Sequence, residues 1–390
     1  MTNRRALLVT SDFPPGSTGG IARYYYDLCR AAGKRMAVVT PGTCYPEFDA
    51  QQEFDIFRRN VPTSPWKLLR LVQVFVLVWF AVRTAQRRGY AALIFGHWYL
   101  AMAAPVVRAF TRLKCGTVLH GGELLPYQSM PLLVRLFTAC LRCSTLIICN
   151  SNYTRAEYTS MDADSPPTVV ITPGVDSARF GSRDGQVVRA RYGLVGKQVL
   201  LTVGNLVQRK GHDIVITALS ALIRRGCDVQ YLIVGCGPEE ARLRDLAVTL
   251  GVGERVTFAG RVEEEELPDY YDACDIFVML SRSVNQGRQA IEGFGIVYLE
   301  ANCCGKPVIG VRSGGVVEAV DHGQTGFLVE PEDTLNQAIY AISALLNDKT
   351  YAQQLGEMGK ARVRAEFSLQ AKGQQLVECV GRLTDGPNCG

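Results

Sequence analysis

Two glutamates separated by seven residues could bind a hydroxylated ligand beside a phosphate. Glu292 is followed by Gly293-Phe294-Gly295, and Glu300 lies inside the helix-forming run that comes next and that Gly305 ends. Glycines before a helix let another group approach the backbone, and the N–H groups of the first helical turn can bind an anion. A carboxylate near a phosphate is repelled unless it binds hydroxyl groups instead. The pattern therefore predicts a nucleotide-sugar ligand.

Short apolar runs on both sides of this segment predict the strands that position it. Residues 276–280 and 307–311 are typical of buried strands of a parallel sheet. The alternative is a surface helix with two incidental glutamates, and the glycines and flanking strands argue against it.

A second candidate segment follows the predicted strand 199–203. It reads Gly-Asn205-Leu-Val-Gln-Arg209-Lys210-Gly, and Lys210 can meet a diphosphate as a point charge. No glycine precedes the lysine as in a phosphate-binding P-loop, so a kinase or an ATPase is disfavoured.

The first half of the chain offers a glycine-rich turn and a histidine. A strand at residues 6–10 leads into Asp12-Phe-Pro-Pro-Gly-Ser-Thr-Gly19-Gly20 and then a predicted helix. This spacing does not fit G-x-G-x-x-G, so a dinucleotide site is disfavoured. His120 follows the predicted strand 117–119 and should face the edge of the sheet where such folds bind ligands.

Length and composition bound the remaining possibilities. With 390 residues and 47% hydrophobic residues, the chain can form two α/β domains and is not a disordered protein. The net charge of +5 suits an anionic ligand or membrane surface, but it is too small to indicate a nucleic acid partner. The 13 cysteines lack a disulfide or zinc spacing and no signal sequence is evident, which predicts a reducing cytoplasm. The DxD sequence at residues 162–164 is interpreted as a solvated loop.

Residues 68–82 form the most apolar stretch. It is too short and too interrupted to span a membrane, and basic residues flank it. Two interpretations stay open: a helix lying on the anionic inner face of the membrane, or a buried core helix.

The spacing Glu292–Gly-Phe-Gly-Ile-Val-Tyr-Leu–Glu300 resembles the E-x7-E motif of family 4 retaining glycosyltransferases of the GT-B fold. The pattern is similar to that of actinobacterial phosphatidylinositol-mannoside mannosyltransferases and of bacterial polysaccharide enzymes. The resemblance spans nearly the whole chain and implies two Rossmann-like domains facing across a cleft. We expect residues 1–172 and a returning C-terminal helix, 367–390, to form the acceptor-side domain. Residues 177–366 would form the nucleotide-sugar domain.

The resemblance also implies roles for individual residues. Glu292, His120 and Lys210 would serve the transfer itself, with Glu300 on the ribose. The remaining donor contacts would be Gly19, Gly20, Asn150, Asn205, Arg209, Arg261, Val262, Phe294, Gly295, Ile296 and Val297. Where the family usually has arginine, this chain has Asn205, which cannot offer the same charge-assisted bonds to a phosphate. Arg209 is the candidate to compensate.

The expected reaction is metal-independent transfer of a hexose from a GDP- or UDP-sugar to an acceptor hydroxyl, with retention of configuration. The acceptor would be a sugar, a lipid-linked precursor or a small molecule. Two alternatives stay open on sequence alone. One is a catalytically weakened sugar-nucleotide-binding partner protein, and the other is a GT-B phosphorylase or epimerase.

Overall fold

The computed structural model describes residues 5–17, 19–61, 67–121, 130–162, 164–181, 183–285 and 289–385. For residues 67–71, 131, 284–285, 289–290 and 385 it describes the backbone alone. The chain forms two compact units. The N-terminal unit comprises residues up to 174 together with those from 369 onwards, and the C-terminal unit comprises residues 175–368.

The N-terminal unit contains a parallel sheet of seven strands in the order β3-β2-β1-β4-β5-β6-β7. Its inner strands are continuous apolar runs because helices cover both faces of the sheet. The strands are β1 (Ala6–Val9), β2 (Met36–Pro41), β3 (Asp55–Arg59), β4 (Ala92–Phe95), β5 (Lys114–Leu119), β6 (Leu146–Cys149) and β7 (Thr168–Val170).

Two hydrophobic clusters hold the helices of this unit against the sheet. The helices are α1 (Gly20–Ala32), α2 (Pro46–Ala50), α3 (Lys67–Arg88), α4 (Trp98–Ala101), α5 (Ala104–Phe110), α6 (Pro131–Leu141), α7 (Asn152–Met161) and α17 (Leu369–Asp385). One cluster packs α3, α4, α5 and α6 on one face of the sheet. The other packs α1 and α17 on the opposite face.

The last helix returns to the N-terminal unit. In α17, Gly373 lies so close to α1 that a Cβ there would sit 2.4 Å from Cβ of Ala31. The glycine therefore permits close packing of the two helices, and the expectation of a C-terminal helix crossing back to the first domain is confirmed.

The C-terminal unit contains a second parallel sheet, in the order β10-β9-β8-β11-β14-β15, and a small antiparallel hairpin, β12-β13. The strands are β8 (Gln198–Val203), β9 (Val229–Val234), β10 (Val256–Gly260), β11 (Ile276–Met279), β12 (Val284–Asn285), β13 (Gln289–Ala290), β14 (Val308–Val311) and β15 (Gly326–Val329). The helices are α8 (Ser177–Phe180), α9 (Gly185–Arg191), α10 (His212–Arg224), α11 (Glu240–Thr249), α12 (Leu267–Ala273), α13 (Ile296–Cys303), α14 (Val316–Ala319), α15 (Thr334–Asn347) and α16 (Lys349–Glu366). Two parallel Rossmann-like sheets confirm the predicted fold class.

The strand order reverses once in each sheet. In the N-terminal unit the reversal lies between β1 and β4, and in the C-terminal unit it lies between β8 and β11. Loops that leave neighbouring strands at such a switch point run in opposite directions and open a crevice, where α/β folds bind ligands.

Two sequence interpretations change with the structure. Asp162 is not solvated: it is buried and Arg142 binds its carboxylate, with Nε 3.0 Å from Oδ2, while Asp164 is exposed. The polar loop concealed this ion pair because the arginine is distant in sequence. Helix α3 is partly a core helix, since Leu77 and Val78 are buried, and partly exposed, since Phe75 and Trp79 face solvent.

Candidate functional site

The switch point of the C-terminal unit brings the loop after β8 against the end of β11. Gly211 has a positive φ of 71°, and a Cβ there would lie 2.0 Å from the carbonyl oxygen of Leu280. Glycine is therefore required for the contact between the two segments. The N–H of Arg282 donates to the carbonyl of Arg209 at 2.9 Å, which joins them a second time.

A turn of two glycines fixes the backbone at Glu292. The N–H of Gly315 donates to the Glu292 carbonyl at 3.0 Å. Gly314 has a φ of 55°, and a Cβ there would lie 2.4 Å from the same carbonyl oxygen. The Gly-Gly pair thus holds the Glu292 backbone against the turn after β14, and Ser281, which follows β11, has its Oγ 3.5 Å from Glu292 Oε2.

The Glu292 carboxylate binds both basic residues of the β8 loop. Its Oε2 accepts from Nη1 of Arg209 at 2.6 Å and from Nζ of Lys210 at 2.7 Å. The side chain is only 14% exposed. Burial acts to raise the pKa of Glu292, but Lys210 and Arg209 outweigh it and hold the pKa at about 2. The carboxylate is therefore ionised at neutral pH, and the cluster of three side chains carries a net positive charge.

Helix α13 begins directly after this cluster. Its N-cap, Gly295, has a φ of 88°, and a Cβ there would lie 2.7 Å from the ring of Tyr298. Tyr298 is itself fixed, since its hydroxyl donates to the Met279 carbonyl at 2.5 Å. Ile296 and Val297, in the first turn, are half-buried. Their N–H groups belong to the electropositive end of the helix.

Glu300 lies further along α13 and is buried. The hydroxyl of Tyr271 donates to its Oε2 at 2.6 Å. Burial, followed by the Glu300 charge, raises the pKa of Tyr271 well above its ordinary value, so the tyrosine remains a donor. The two glutamates are thus held by different partners, one by cations and one by a phenol.

In the N-terminal unit, His120 follows β5 and is buried beside Tyr25. Its Nε2 lies 2.5 Å from the Tyr25 hydroxyl, which also donates to the Gly96 carbonyl. Burial lowers the pKa of His120 to about 3, so its imidazole is neutral at physiological pH. Asn150 holds the backbone here, because its Nδ2 donates to the His120 carbonyl at 3.0 Å.

Comparisons with known proteins decide what these two units are. A profile described as Glycosyl transferases group 1 matches residues 187–362, and one described as Glycosyltransferase Family 4 matches residues 18–179. The chain is 32% identical, over 95% of its length and 97% of the relative's, to the GDP-mannose-dependent alpha-(1-6)-phosphatidylinositol monomannoside mannosyltransferase of Mycolicibacterium smegmatis. The GDP-mannose-dependent monoacylated alpha-(1-6)-phosphatidylinositol monomannoside mannosyltransferase of Corynebacterium glutamicum is 30% identical over 96% of this chain and 97% of its own.

The chain belongs to glycosyltransferase family 4.

Solved structures agree on the GT-B fold of this family 4 glycosyltransferase. Sucrose-phosphate synthase from Thermosynechococcus elongatus superposes with a TM-score of 0.82 at 24% identity, covering 97% of this chain and 98% of its own. Anabaena HepE in complex with UDP and glucose superposes with a TM-score of 0.80 at 22% identity, covering 97% and 99%.

Membership confirms the predicted enzyme class. The protein is a retaining hexosyltransferase that uses a nucleotide-sugar donor and requires no metal. Within the part of the chain that the structure describes, no group of three or more His, Cys, Asp or Glu side chains could hold a metal ion. The alternatives of a sugar-nucleotide-binding partner protein and of a GT-B phosphorylase or epimerase are set aside because the matching family models and the relatives above are those of glycosyltransferases.

Some of the predicted donor residues lie together in the structure, and others lie in the core, on loops or at helix ends. Glu292, Arg209 and Lys210 form one cluster. Phe294 is buried against Phe367, with ring centroids 5.9 Å apart, so its side chain packs in the core. The remaining predicted residues lie on loops or at helix ends: Asn205 exposed after β8, Arg261 and Val262 after β10, Gly19 and Gly20 at the start of α1.

The sequence did not reveal the residues that contact the predicted site residues and fix their positions. Tyr271, Tyr298 and Tyr25 are buried aromatic residues with ordinary core spacing, so their polar contacts gave no signal. His97 was also missed, although it lies two residues after the end of β4, close to the position that His120 has directly after β5. The strand-end rule that selected His120 would have selected it too.

Proposed function

We propose that this enzyme transfers mannose from GDP-mannose to a hydroxyl group of a glycolipid at a membrane surface. The donor assignment is supported by relatives that match the chain over 95% or more of its length and that are named as GDP-mannose-dependent. The site assignment is carried by one observation, the binding of the Glu292 carboxylate by Lys210 and Arg209 at the switch point between β8 and β11.

In the proposed mechanism the two cations receive the diphosphate. Departure of GDP develops negative charge on the phosphate next to the sugar, and preorganised cations stabilise it without reorganising solvent. Arg209 already lies in this cluster, which supports its taking the place of the arginine that Asn205 replaces. The N–H groups of Ile296 and Val297 add the partial positive charge of the α13 N-terminus.

Glu292 and Glu300 have separate proposed roles. When the phosphate binds one of the two cations, the Glu292 carboxylate is released from that cation and faces the sugar. It then stabilises the positive charge that develops at the anomeric carbon of the sugar. Glu300 binds the ribose hydroxyls and is kept in place by Tyr271. Neutral His120 is proposed to bind a hydroxyl of the transferred sugar, and the departing phosphate takes the acceptor's proton.

The membrane contact is proposed from charge and exposure in the N-terminal unit. Between Asp55 and Glu157 the sequence has 13 Lys or Arg residues and a single acidic residue, Glu123. Large apolar side chains are exposed on the helices of one face of the sheet: Val72, Phe75, Trp79, Val106, Phe110, Leu132, Leu133 and Leu136. We call these eight side chains the apolar face.

A basic and apolar surface of this kind suits an anionic lipid headgroup region. On α3 the guanidinium of Arg83 lies over the Trp79 ring at 5.1 Å, which joins a cation to an exposed aromatic side chain. Among the described residues no helix is long and apolar enough to cross a membrane.

A transfer assay tests the proposed reaction. The purified protein would be incubated with GDP-mannose, UDP-glucose or UDP-N-acetylglucosamine and with phosphatidylinositol monomannoside as acceptor. We expect transfer from GDP-mannose with an α-linked product, unchanged by EDTA. Transfer from a uridine sugar alone would overturn the donor assignment, and a β-linked product would overturn retention.

A further inference from the structure

One residue, Arg282, holds both ends of the turn that carries Lys210. Its main-chain N–H donates to the carbonyl of Arg209, directly before Lys210, at 2.9 Å. Its side chain reaches the other end, where Nη2 donates to Oδ2 of Asp213 at 2.8 Å. We call residues 209–213 the Lys210 turn. Arg282 follows β11 and the turn follows β8, so these bonds lie at the switch point of the C-terminal unit.

The Asp213 carboxylate depends on Arg282. Asp213 lies in the first turn of α10, and its side chain is 18% exposed. Its Oδ1 is buried and has no hydrogen-bond partner among the residues that the structure describes. A second cation, Arg242, is further away, with Nη2 3.6 Å from Oδ2, and it also pairs with Glu239. Loss of Arg282 would therefore leave a largely buried carboxylate without its shortest bond, which is costly.

The Lys210 turn needs bonds from outside because it contains a glycine. Gly211, in its middle, has a positive φ of 71°, and a glycine leaves the backbone freer than any other residue. The contact of Gly211 with Leu280 fixes the middle of the turn, and Arg282 fixes the two ends. Lys210 carries its charge on a flexible chain, so the turn decides where that chain begins. An error of about 1 Å in the position of such a group can cost about 100-fold in rate.

We propose that Arg282 and Asp213 form a clamp that holds Lys210 in the geometry that binds the diphosphate, and that neither residue contacts the nucleotide. Both are therefore positioning residues. The proposal rests on the diphosphate site proposed above, and it adds the pair that sets the geometry of that site. The clamp should contribute to the affinity for the phosphates and not to the affinity for the nucleoside.

The sign of the effect at Asp213 separates a clamp from simple electrostatic attraction. If the two residues acted only through their charges, Arg282→Met would weaken the binding of an anion and Asp213→Ala would strengthen it. If they act as a clamp, each substitution releases the far end of the turn, and both should weaken binding. Arg282→Met is suited to this test because it removes the donors and keeps an apolar stem.

Isothermal titration calorimetry of the full chain with GDP and with guanosine tests the proposal. We expect Arg282→Met and Asp213→Ala each to weaken GDP binding about 3- to 30-fold and to change guanosine binding less than about 2-fold. The matched control is Arg189→Met. Arg189 is paired with Asp275, with Nη2 2.9 Å from Oδ2, at the opposite end of β11. It should leave the ratio of the two affinities unchanged.

A double-mutant cycle tests whether the clamp acts through Lys210. In the Lys210→Gln background, Arg282→Met should weaken GDP binding less than about 2-fold, because the group that it positions is already gone. Arg282→Lys keeps a charged donor for Asp213 and should recover part of the affinity that Arg282→Met loses. Thermal melts followed by circular dichroism show that each variant is folded at the temperature of the titration.

Tighter binding of GDP by Asp213→Ala would overturn the proposal. So would an equal loss for GDP and guanosine, or an equal cost of Arg282→Met with and without Lys210. The proposed diphosphate site is tested separately by Lys210→Gln alone. If that variant binds GDP as the wild type does, the site is wrong and the clamp has no function there. If it weakens GDP binding and Arg282→Met does not, only the clamp is overturned.

Discussion

Nζ of Lys210 lies 2.7 Å from Oε2 of Glu292. The cation that should receive the donor's diphosphate is therefore already bound by the carboxylate that should face its sugar. Binding of a diphosphate must share or displace this contact, since Lys210 and Arg209 both bind the same carboxylate oxygen. Lys210 and Arg209 therefore compensate the negative charge of Glu292 before the donor binds. This pairing keeps the buried carboxylate ionised.

Lys210→Gln should weaken the binding of GDP, because it removes a cation and leaves the Glu292 charge less compensated. We expect a loss of about 10- to 100-fold in affinity, measured by isothermal titration calorimetry. Guanosine, which has no phosphate, should bind both proteins equally. The control is Lys197→Gln, whose lysine pairs with Asp228 in the same unit. An equal loss for GDP and guanosine would remove Lys210 from the phosphate site.

Glu300→Gln should weaken donor binding through the ribose. A hydrogen bond to a charged group contributes about 1.5–3 kcal/mol, so the affinity for GDP should fall about 10- to 100-fold. The wild type should bind 2′-deoxy-GDP with a similar loss, and the variant should show little further loss with the deoxy nucleotide. If the two losses simply add, Glu300 does not contact that hydroxyl.

Acid should remove the stabilisation that ionised Glu292 provides. Its pKa in the folded protein, about 2, is below the ordinary value of 4.5. The stabilisation is therefore fully present above pH 4.5 and is lost as the pH falls towards 2. We expect the wild type to melt at a higher temperature than Glu292→Gln at neutral pH, and the difference to shrink on acidification below 4.5. A difference that stays constant or grows in acid would contradict the ion cluster.

The apolar face should bind anionic vesicles. Phe75→Ser combined with Trp79→Ser should reduce co-sedimentation with phosphatidylglycerol-containing vesicles, by about 10-fold or more for two large apolar side chains. Added salt should weaken the binding of the wild type, because its basic residues are screened. Tyr340→Ser is the control, since Tyr340 is an exposed aromatic residue of the C-terminal unit. Association that is absent in the wild type, or equal in both variants, would remove the membrane proposal.

Much of the fold was readable from the sequence because buried parallel strands are continuous apolar runs bounded by glycines. Strands β11 and β14 lie where the apolar runs predict them, and α13 begins after the two glycines. The similarity to family 4 then identified the returning helix α17. The boundaries of elements such as α3 were harder to predict. Apolar side chains lie on both the buried and the exposed side of this helix, so its sequence shows no clear helical period of hydrophobicity.

The side chains that pair with the site residues could not be predicted from the sequence. Lys210 and Glu292 are 82 residues apart and meet only because β8 and β11, which are not consecutive strands, are neighbours in the sheet. The same reason hides the contact between Asp12, after β1, and His97, after β4, in which His97 Nε2 lies 2.9 Å from Asp12 Oδ2. A polar loop likewise gave no sign that Arg142 neutralises Asp162.

The most direct test of the central claim compares nucleotide affinity and turnover in Glu292→Gln. If Glu292 competes with the diphosphate for Lys210 and Arg209 and serves the sugar during transfer, the two quantities should change in opposite directions. We expect GDP to bind about 3- to 10-fold more tightly, because a nearby negative charge is gone. We also expect kcat to fall about 100-fold or more, because an electrostatic contact to the transition state is lost. Weaker GDP binding, or an unchanged kcat, would contradict the account.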